Sequence, residues 1–347
     1  MKRPDTARMS RRAMLGALPA LALAPGLLAR GFQTPPPIPV ERLLGFGIRV
    51  PDVGRSVDFY QALFGMPVQA RRGASVWLRL GEGPQFMSVH PASAGEAARI
   101  AHICLSAPGF DADALGERLG GLGIEPIEPP APGPASMDHA MKSWIVRSEG
   151  RGPELYFADA WGLVIQLQDP AYCGGTGALG EVCEAVEAVA PGRIALGDLS
   201  HFTVFGSGAG AFYEEAMGFA PQAYQATTPA LGVGDGIQFL MFAGGGGGRG
   251  RGRGGEPANP ATIHHASFNM DGFVVEELTA ALTEHGLAPD TRDSGPLVHY
   301  ISLRMPDRGG AEGGTPEVYF TDPDGLLMQI QDSSYCGGGG ILGDVCA

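Results

Sequence analysis

Positive charge is scarce in this chain. Its 24 lysines and arginines face 37 aspartates and glutamates, a formal net charge of −13. A surface of that sign argues against a nucleic-acid partner, because phosphate binding draws on a net basic face. The one basic run, at 249–253, lies inside "GGGGGRGRGRGG" and reads as a flexible loop. A long unbroken apolar run is also missing. The nearest, Ala13 to Ala29, is short and interrupted by Pro and Gly, which suits a cleaved leader better than a membrane span. Cysteine is sparse, with five in 347 residues. There is no collagen period to account for the 55 glycines and 29 prolines, so these point to many turns and to β-rich modules.

What is present begins with an address. Residues 1–31 carry a basic start, then Ser10, Arg11 and Arg12 ahead of Met14, Leu15 and the apolar stretch. The pattern resembles a twin-arginine export signal, which implies a periplasmic or secreted protein with no stable membrane insertion after cleavage. A Pro-rich linker follows at 32–40. Four of the cysteines form two similar pairs, Cys173 with Cys183 and Cys336 with Cys346, and in an oxidising compartment each can close a short glycine-rich loop. Cys104 sits in an apolar strand pattern and reads as a small buried hydrophobe.

An internal repeat organises the rest. The segment 156–183, "YFADAWGLVIQLQDPAYCGGTGALGEVC", matches 319–346, "YFTDPDGLLMQIQDSSYCGGGGILGDVC", at 17 of 28 positions, and the same offset of 163 carries His102 onto His265. Two homologous domains follow, at 41–185 and 196–347. Each divides again. "LLGFGIRV", the amphipathic "SVDFYQALFG" and three short strands give strand, helix, strand, strand, strand, and that order recurs from "IAHICLSAP", "LSHFTVFG" and "IHHASFNMDG".

Two of these segments carry a family resemblance. "RVPDVGRSVDFYQALFGMPV" resembles the opening, and "YFTDPDGLLMQIQD" the closing strand, of modules in the vicinal oxygen chelate superfamily, the glyoxalase, bleomycin-resistance and extradiol dioxygenase group. The likeness spans roughly 41–335. It implies an α+β fold of four βαβββ modules forming two tandem domains, each a sheet cupped around a cavity, as in two-domain extradiol dioxygenases.

By the same resemblance, metal ligands come from the first and last strands of modules. In the C-terminal domain these positions hold His201, His265 and Gln329, where relatives usually have Glu in place of Gln329. Two imidazoles and one carboxylate hold ferrous iron with open positions. The amide lowers attraction for a divalent ion without removing a ligand atom, and Fe(II) or Mn(II) is the implied cofactor. His264, beside His265, should face the other way, since strand side chains alternate. Tyr319 stands at a spacing where extradiol enzymes bind substrate, and His299, on the preceding strand, is a candidate acid or base. In the N-terminal domain Gly45 stands at the first ligand position, leaving His102 and Gln166, and that domain reads as a degenerate, structural copy. Three functions stay open: metal-dependent ring cleavage of a catechol-like substrate, a glyoxalase-type lyase or isomerase, and non-catalytic periplasmic sequestration of a small molecule, as in bleomycin-resistance proteins. A homo-oligomer is compatible with all three.

Overall fold

Among the described residues, nine strands build each half of the protein. The computed structural model describes residues 36–130, 140–183, 189–244, 261–290 and 295–338, and residues 36–347 cluster as one unit. The expected leader at 1–31, the basic glycine-rich segment at 249–253 expected as a loop, and Cys346 lie outside the described residues. Among the described residues no helix is long and apolar enough to cross a membrane.

The first half runs β1 (Arg42–Val50), α1 (Val53–Phe64), β2 (Val68–Arg72), β3 (Ser75–Arg79), β4 (Phe86–Pro91), β5 (Arg99–Ser106), α2 (Ala112–Gly121), β6 (Glu125–Pro126), β7 (Lys142–Val146), β8 (Glu154–Ala158) and β9 (Val164–Gln168). The second runs β10 (Leu199–Ser207), α3 (Gly210–Met217), β11 (Pro221–Gln225), β12 (Thr228–Gly232), β13 (Phe239–Gly244), β14 (Thr262–Met270), α4 (Val275–Glu284), β15 (Ala288–Pro289), β16 (Val298–Arg304), β17 (Thr315–Thr321) and β18 (Leu327–Asp332). Strand order is β2-β3-β4-β1-β5-β9-β8-β7-β6 in one sheet and β11-β12-β13-β10-β14-β18-β17-β16-β15 in the other. In each, the two modules join where their first strands pair antiparallel, β1 with β5 and β10 with β14. Each half is therefore a βαβββ module followed by a second of the same plan with one extra two-residue strand, β6 or β15, and the two halves form tandem α+β domains.

Local chemistry explains the helices. The Asp52 side chain caps α1 by accepting from the Arg55 N–H, and Gly65 closes it in a left-handed conformation (φ 67°) that a side chain would resist. Asp111 accepts from the Asp113 and Ala114 N–H groups at the start of α2. The apolar face of α1, including Tyr60, Leu63 and Phe64, is buried.

Strand alternation then sorts the core from the cups. Phe46 and Ile48 of β1, Phe202 and Val204 of β10, and Met328 and Ile330 of β18 join a single apolar cluster that runs through both halves. The Phe46 and Phe202 rings meet edge to face, 5.5 Å between centroids. Helix α1 reaches across this seam: the Phe64 ring lies 5.5 Å from Phe320, and the Tyr60 hydroxyl donates to Asp322 at 3.1 Å. The mirror contact is made by α3, where the Tyr213 hydroxyl donates to Asp159 at 3.2 Å. Gln85 donates to the Leu43 carbonyl and accepts from the Leu199 N–H; Gln238 donates to the Leu199 carbonyl and accepts from the Leu43 N–H. The two amides thus exchange backbone partners across the seam.

The tail of the first half is closed by a disulfide between Cys173 and Cys183. Cys336 is disulfide-bonded as well, and Cys104 is a buried free thiol.

Candidate functional site in the C-terminal cup

The opposite strand faces build the cup. One row across the second sheet, read from strand register, contains His201 on β10, Ser267 on β14, Gln329 on β18, Tyr319 on β17 and Tyr300 on β16. His265 sits beside Thr203, two residues along β10 from His201. His201, His265 and Gln329 are 1%, 4% and 1% exposed, and the two imidazoles stand nearly perpendicular with ring centroids 5.6 Å apart.

These side chains leave polar atoms without partners. His201 uses Nδ1 on the Ser200 hydroxyl (3.0 Å), and His265 uses Nδ1 on Nδ1 of His264 (2.9 Å). The His265 Nε2, both amide atoms of Gln329, Ser267 Oγ and Thr203 Oγ1 are buried with no hydrogen-bond partner in the protein. The Gln329 amide still favours the protonated form of both imidazoles through proximity, although no bond of normal geometry forms. Buried polar groups in folded proteins are nearly always paired, so five such atoms on four neighbouring side chains mark a place for a ligand, ion or water. Burial holds both imidazoles neutral, His201 at about 3 and His265 well below the usual 6.5. Neutral rings, each tied through Nδ1, are in the form in which histidine ligates a metal.

Donor type and burial therefore fit a divalent ion held by His201, His265 and Gln329, while charge does not assist. Among the described residues no three His, Cys, Asp or Glu side chains converge, and a third donor beside the two imidazoles would be the Gln329 amide. The carboxylate in the cup, Glu317, is committed elsewhere. It accepts from the Tyr319 (3.1 Å) and Tyr335 (3.3 Å) hydroxyls and forms an ion pair with Arg304 at 3.3 Å.

A cavity of about 360 Å³ opens above this floor, lined by His264, His265, Tyr300, Glu317, Tyr319 and Arg308 among others. His201 and Gln329 do not line it. A larger cavity of about 990 Å³ runs along the seam and includes no histidine.

Two expectations about this site require correction. His264 does not turn away from the cup. The register between β10 and β14 slips between Thr203–His265 and Val204–Ile263, a β-bulge that brings His264 to the same side as His265, stacked on Phe205 at 4.0 Å. His299, expected near the substrate, lies on the other face of β16. It pairs with Phe320, a residue of the apolar core, and its Nε2 meets the Thr283 hydroxyl of α4 at 2.8 Å. Its neighbour Tyr300 faces the cup instead, stacked on Tyr319 at 5.0 Å, while the Tyr319 ring stands edge-on to His265 at 5.4 Å. His264 and Tyr300 were missed because simple alternation cannot locate a bulge or choose a strand's inward face.

The N-terminal cup shows what the loss of the first histidine entailed. Gly45 takes the register position of His201, and Phe86 that of Phe239, on which His201 stacks at 4.2 Å. A Cβ on Gly45 would lie 2.7 Å from the Phe86 ring and from its carbonyl, and one on Gly47 would lie 2.1 Å from the His102 ring. The ligand position is filled as well as vacated. The cup nevertheless keeps Glu154, which accepts from Tyr156 and Tyr172 and pairs with an arginine. That arginine is Arg72 of β2, whereas Glu317 is served by Arg304 of β16. One carboxylate position recruits its cation from different strands in the two halves.

The fold and the inward-facing polar row place this chain in a recognisable structural class. Residues 42–167 match the model of the Glyoxalase/Bleomycin resistance protein/Dioxygenase superfamily. Among solved structures, most of the chain resembles 2,3-dioxygenases in fold. Homoprotocatechuate 2,3-dioxygenase from Arthrobacter globiformis aligns with TM-score 0.54 at 17% identity, covering 86% of this chain and 81% of that one. The 2,3-dioxygenase LapB from Pseudomonas sp. KL28 aligns with TM-score 0.55 at 14% identity over 84% and 92%. A variant of homoprotocatechuate 2,3-dioxygenase from B. fuscum aligns with TM-score 0.55 at 15% identity over 88% and 76%. At such identities the likeness is one of fold. No curated protein matches the chain in sequence.

Proposed function

We propose that the protein is an exported, divalent-metal-dependent enzyme acting on a small substrate with two adjacent oxygens, and that ring cleavage of a catechol-like compound is the best-supported form of that activity. The observation that carries the proposal is the cluster of unpartnered buried atoms on His265, Gln329, Ser267 and Thr203 beside His201. The fold likeness to homoprotocatechuate 2,3-dioxygenase and to the 2,3-dioxygenase LapB supports the substrate class. Fe(II) or Mn(II), held by His201, His265 and Gln329, would acidify the substrate oxygens and leave a position for dioxygen.

The protein's own part is to bind, orient and take up a proton. Tyr300 and Tyr319 offer an aromatic wall. The Tyr319 hydroxyl already donates to Glu317, which leaves its oxygen free to accept from a substrate hydroxyl. Burial raises the Glu317 carboxyl above its ordinary range, making it a better proton acceptor at the end of that path. His299, on the far face, takes no part. Twin-arginine export to the periplasm belongs to the same proposal and rests on Arg11 and Arg12.

The neutral ligand set favours one second reading, sequestration of a small molecule without catalysis. Metal analysis of the mature protein, beside His265→Ala, separates the two. Near-stoichiometric iron or manganese that disappears in the variant supports the enzyme. No metal in either sample after anaerobic reconstitution with ferrous iron would sink it and leave the binding protein.

A further inference from the structure

The N-terminal cup lacks the first histidine of the row, keeps His102 and Gln166, and has a cavity of its own. About 420 Å³ remains open there, against about 360 Å³ in the C-terminal cup. The two cavities are the same place in the repeat. Arg49 pairs with His90 as Phe205 pairs with Ala243, Arg72 with Ser75 as Gln225 with Thr228, and Val146 with Glu154 as Ser302 with Glu317. All twelve of these residues line their respective cavities.

The wall chemistry has changed between the copies. Phe205 and Gln225 are replaced by two guanidiniums, Arg49 and Arg72. Trp77 stands at the register position of Ala230, since Trp77 pairs with Ser88 as Ala230 pairs with Met241. Arg72 lies over the Trp77 ring at 5.2 Å. His90 adds no charge, because burial holds its imidazole at about 3 with both nitrogens on serine hydroxyls.

Charge bookkeeping gives the cup a sign. Arg49 and Arg72 face Glu154, a surplus of one positive charge; Arg304 and Arg308 against Glu317 give the C-terminal cup the same surplus, but only in the N-terminal cup do both guanidiniums line the cavity. Arg49 donates from Nη1 to the Pro91 carbonyl at 3.3 Å and lies 3.5 Å from Glu96, which also pairs with Arg99 at 2.8 Å. The Arg72 Nε is buried without a hydrogen-bond partner, although Nη2 of the same residue meets Glu154 at 2.8 Å. Partly buried guanidiniums beside an indole and a phenol are costly to desolvate unless an anion returns the lost interaction. The pairing of aromatic wall with guanidinium suits a flat ring bearing one carboxylate.

We propose that the N-terminal cup is a second ligand site, selective for a small aromatic monocarboxylate whose ring lies against Trp77 and Tyr156 and whose carboxylate is held by Arg49 and Arg72. The site needs no metal and does not depend on the activity assigned to the other half.

Benzoate is the probe, titrated calorimetrically into the full mature chain after chelation of metals, with benzamide as its uncharged isostere. The expected result is saturable benzoate binding, with benzamide about tenfold weaker or worse, equivalent to about 1.4 kcal/mol. Arg49→Gln weakens benzoate by about tenfold and Arg49→Lys recovers part of the loss, while Arg308→Gln, in the other cup, changes nothing. The comparison of benzoate with benzamide uses the unaltered protein, so it stands even if a variant misfolds. Equal binding of the two probes, no benzoate binding at millimolar concentration, or loss with Arg308→Gln in place of Arg49→Gln would each overturn the proposal.

Discussion

Single atoms decide which cup can hold a ligand row. At Gly45 a methyl group has no room, because the Phe86 ring and carbonyl both lie 2.7 Å from where it would sit. Gly45→Ala should therefore cost about 1–3 kcal/mol in urea unfolding, the usual range for overpacking. Adding Phe86→Ala should recover none of the part due to the carbonyl, which is fixed by the β1–β4 pairing. If Gly45→Ala is neutral, the filled-site explanation fails. The paired carboxylates supply a second test. Glu317→Gln strands Arg304, which is 1% exposed, whereas Glu154→Gln strands Arg72, which is 26% exposed. Breaking a buried ion pair costs about 3 kcal/mol or more, and the cost falls with exposure. Equilibrium unfolding should rank Glu317→Gln as clearly the more damaging; equal losses would count against the argument from burial.

At the scale of elements, the bulge in β14 and the two crossing helices do most to shape the site. The bulge places two adjacent imidazoles in one cavity, and a register without it would return His264 to the apolar side. Helices α1 and α3 each anchor across the seam through one tyrosine on one buried aspartate, Tyr60 on Asp322 and Tyr213 on Asp159. Removing a single donor leaves the carboxyl less well satisfied, so Tyr60→Phe and Tyr213→Phe should each lower stability by about 1–2 kcal/mol. The near-symmetry of the contacts predicts similar losses, read from chemical denaturation. The Cys173–Cys183 bridge closes a short loop behind Tyr172. Replacing both cysteines by serine should cost about 2–3 kcal/mol, and reduction should cost the wild-type protein more than this, because it also opens the bridge at Cys336.

Across the whole molecule, ionisation couples the two cups and the seam to pH. Burial lowers His90, His102 and His201 to about 3 and His265 well below its usual value; His285 and His299 are lowered too. Groups with depressed folded values contribute stability above the unfolded value near 6.5, and this is lost as pH falls. Asp159 and Asp322 oppose this trend. Burial raises both to about 6, and Glu317 shifts in the same direction. Their contribution is complete below the ordinary carboxyl range and disappears as pH rises through about 6. Six imidazoles outnumber three carboxyls, and above about 6 the imidazoles act alone. The thermal midpoint should therefore fall as pH drops from 7 to 5, the window in which the imidazoles of the unfolded chain take up protons and the buried ones do not. A midpoint that rises would show that the buried imidazoles do not govern acid stability.

Much of this architecture was legible in the chain. Alternating apolar residues and amphipathic helices gave the four modules, and the offset of 163 gave the two sheets, because period and repeat are local properties that do not need the folded state. The residues His201, His265, Gln329 and Tyr319 could be named because each occupies a recognisable place in a strand motif. What the sequence could not supply was anything set by volume or register between distant strands. The inward turn of His264 follows from a slip against β10, the outward turn of His299 from the packing of α4, and the loss of space at Gly45 from a phenylalanine forty-one residues away. The same holds for the cationic wall of the N-terminal cup, whose Arg49, Arg72 and Trp77 come from three strands. Sequence determined which side chains were available and on which strands; tertiary structure decided which faces met, because strand pairing and close packing are fixed by contacts that no local pattern encodes.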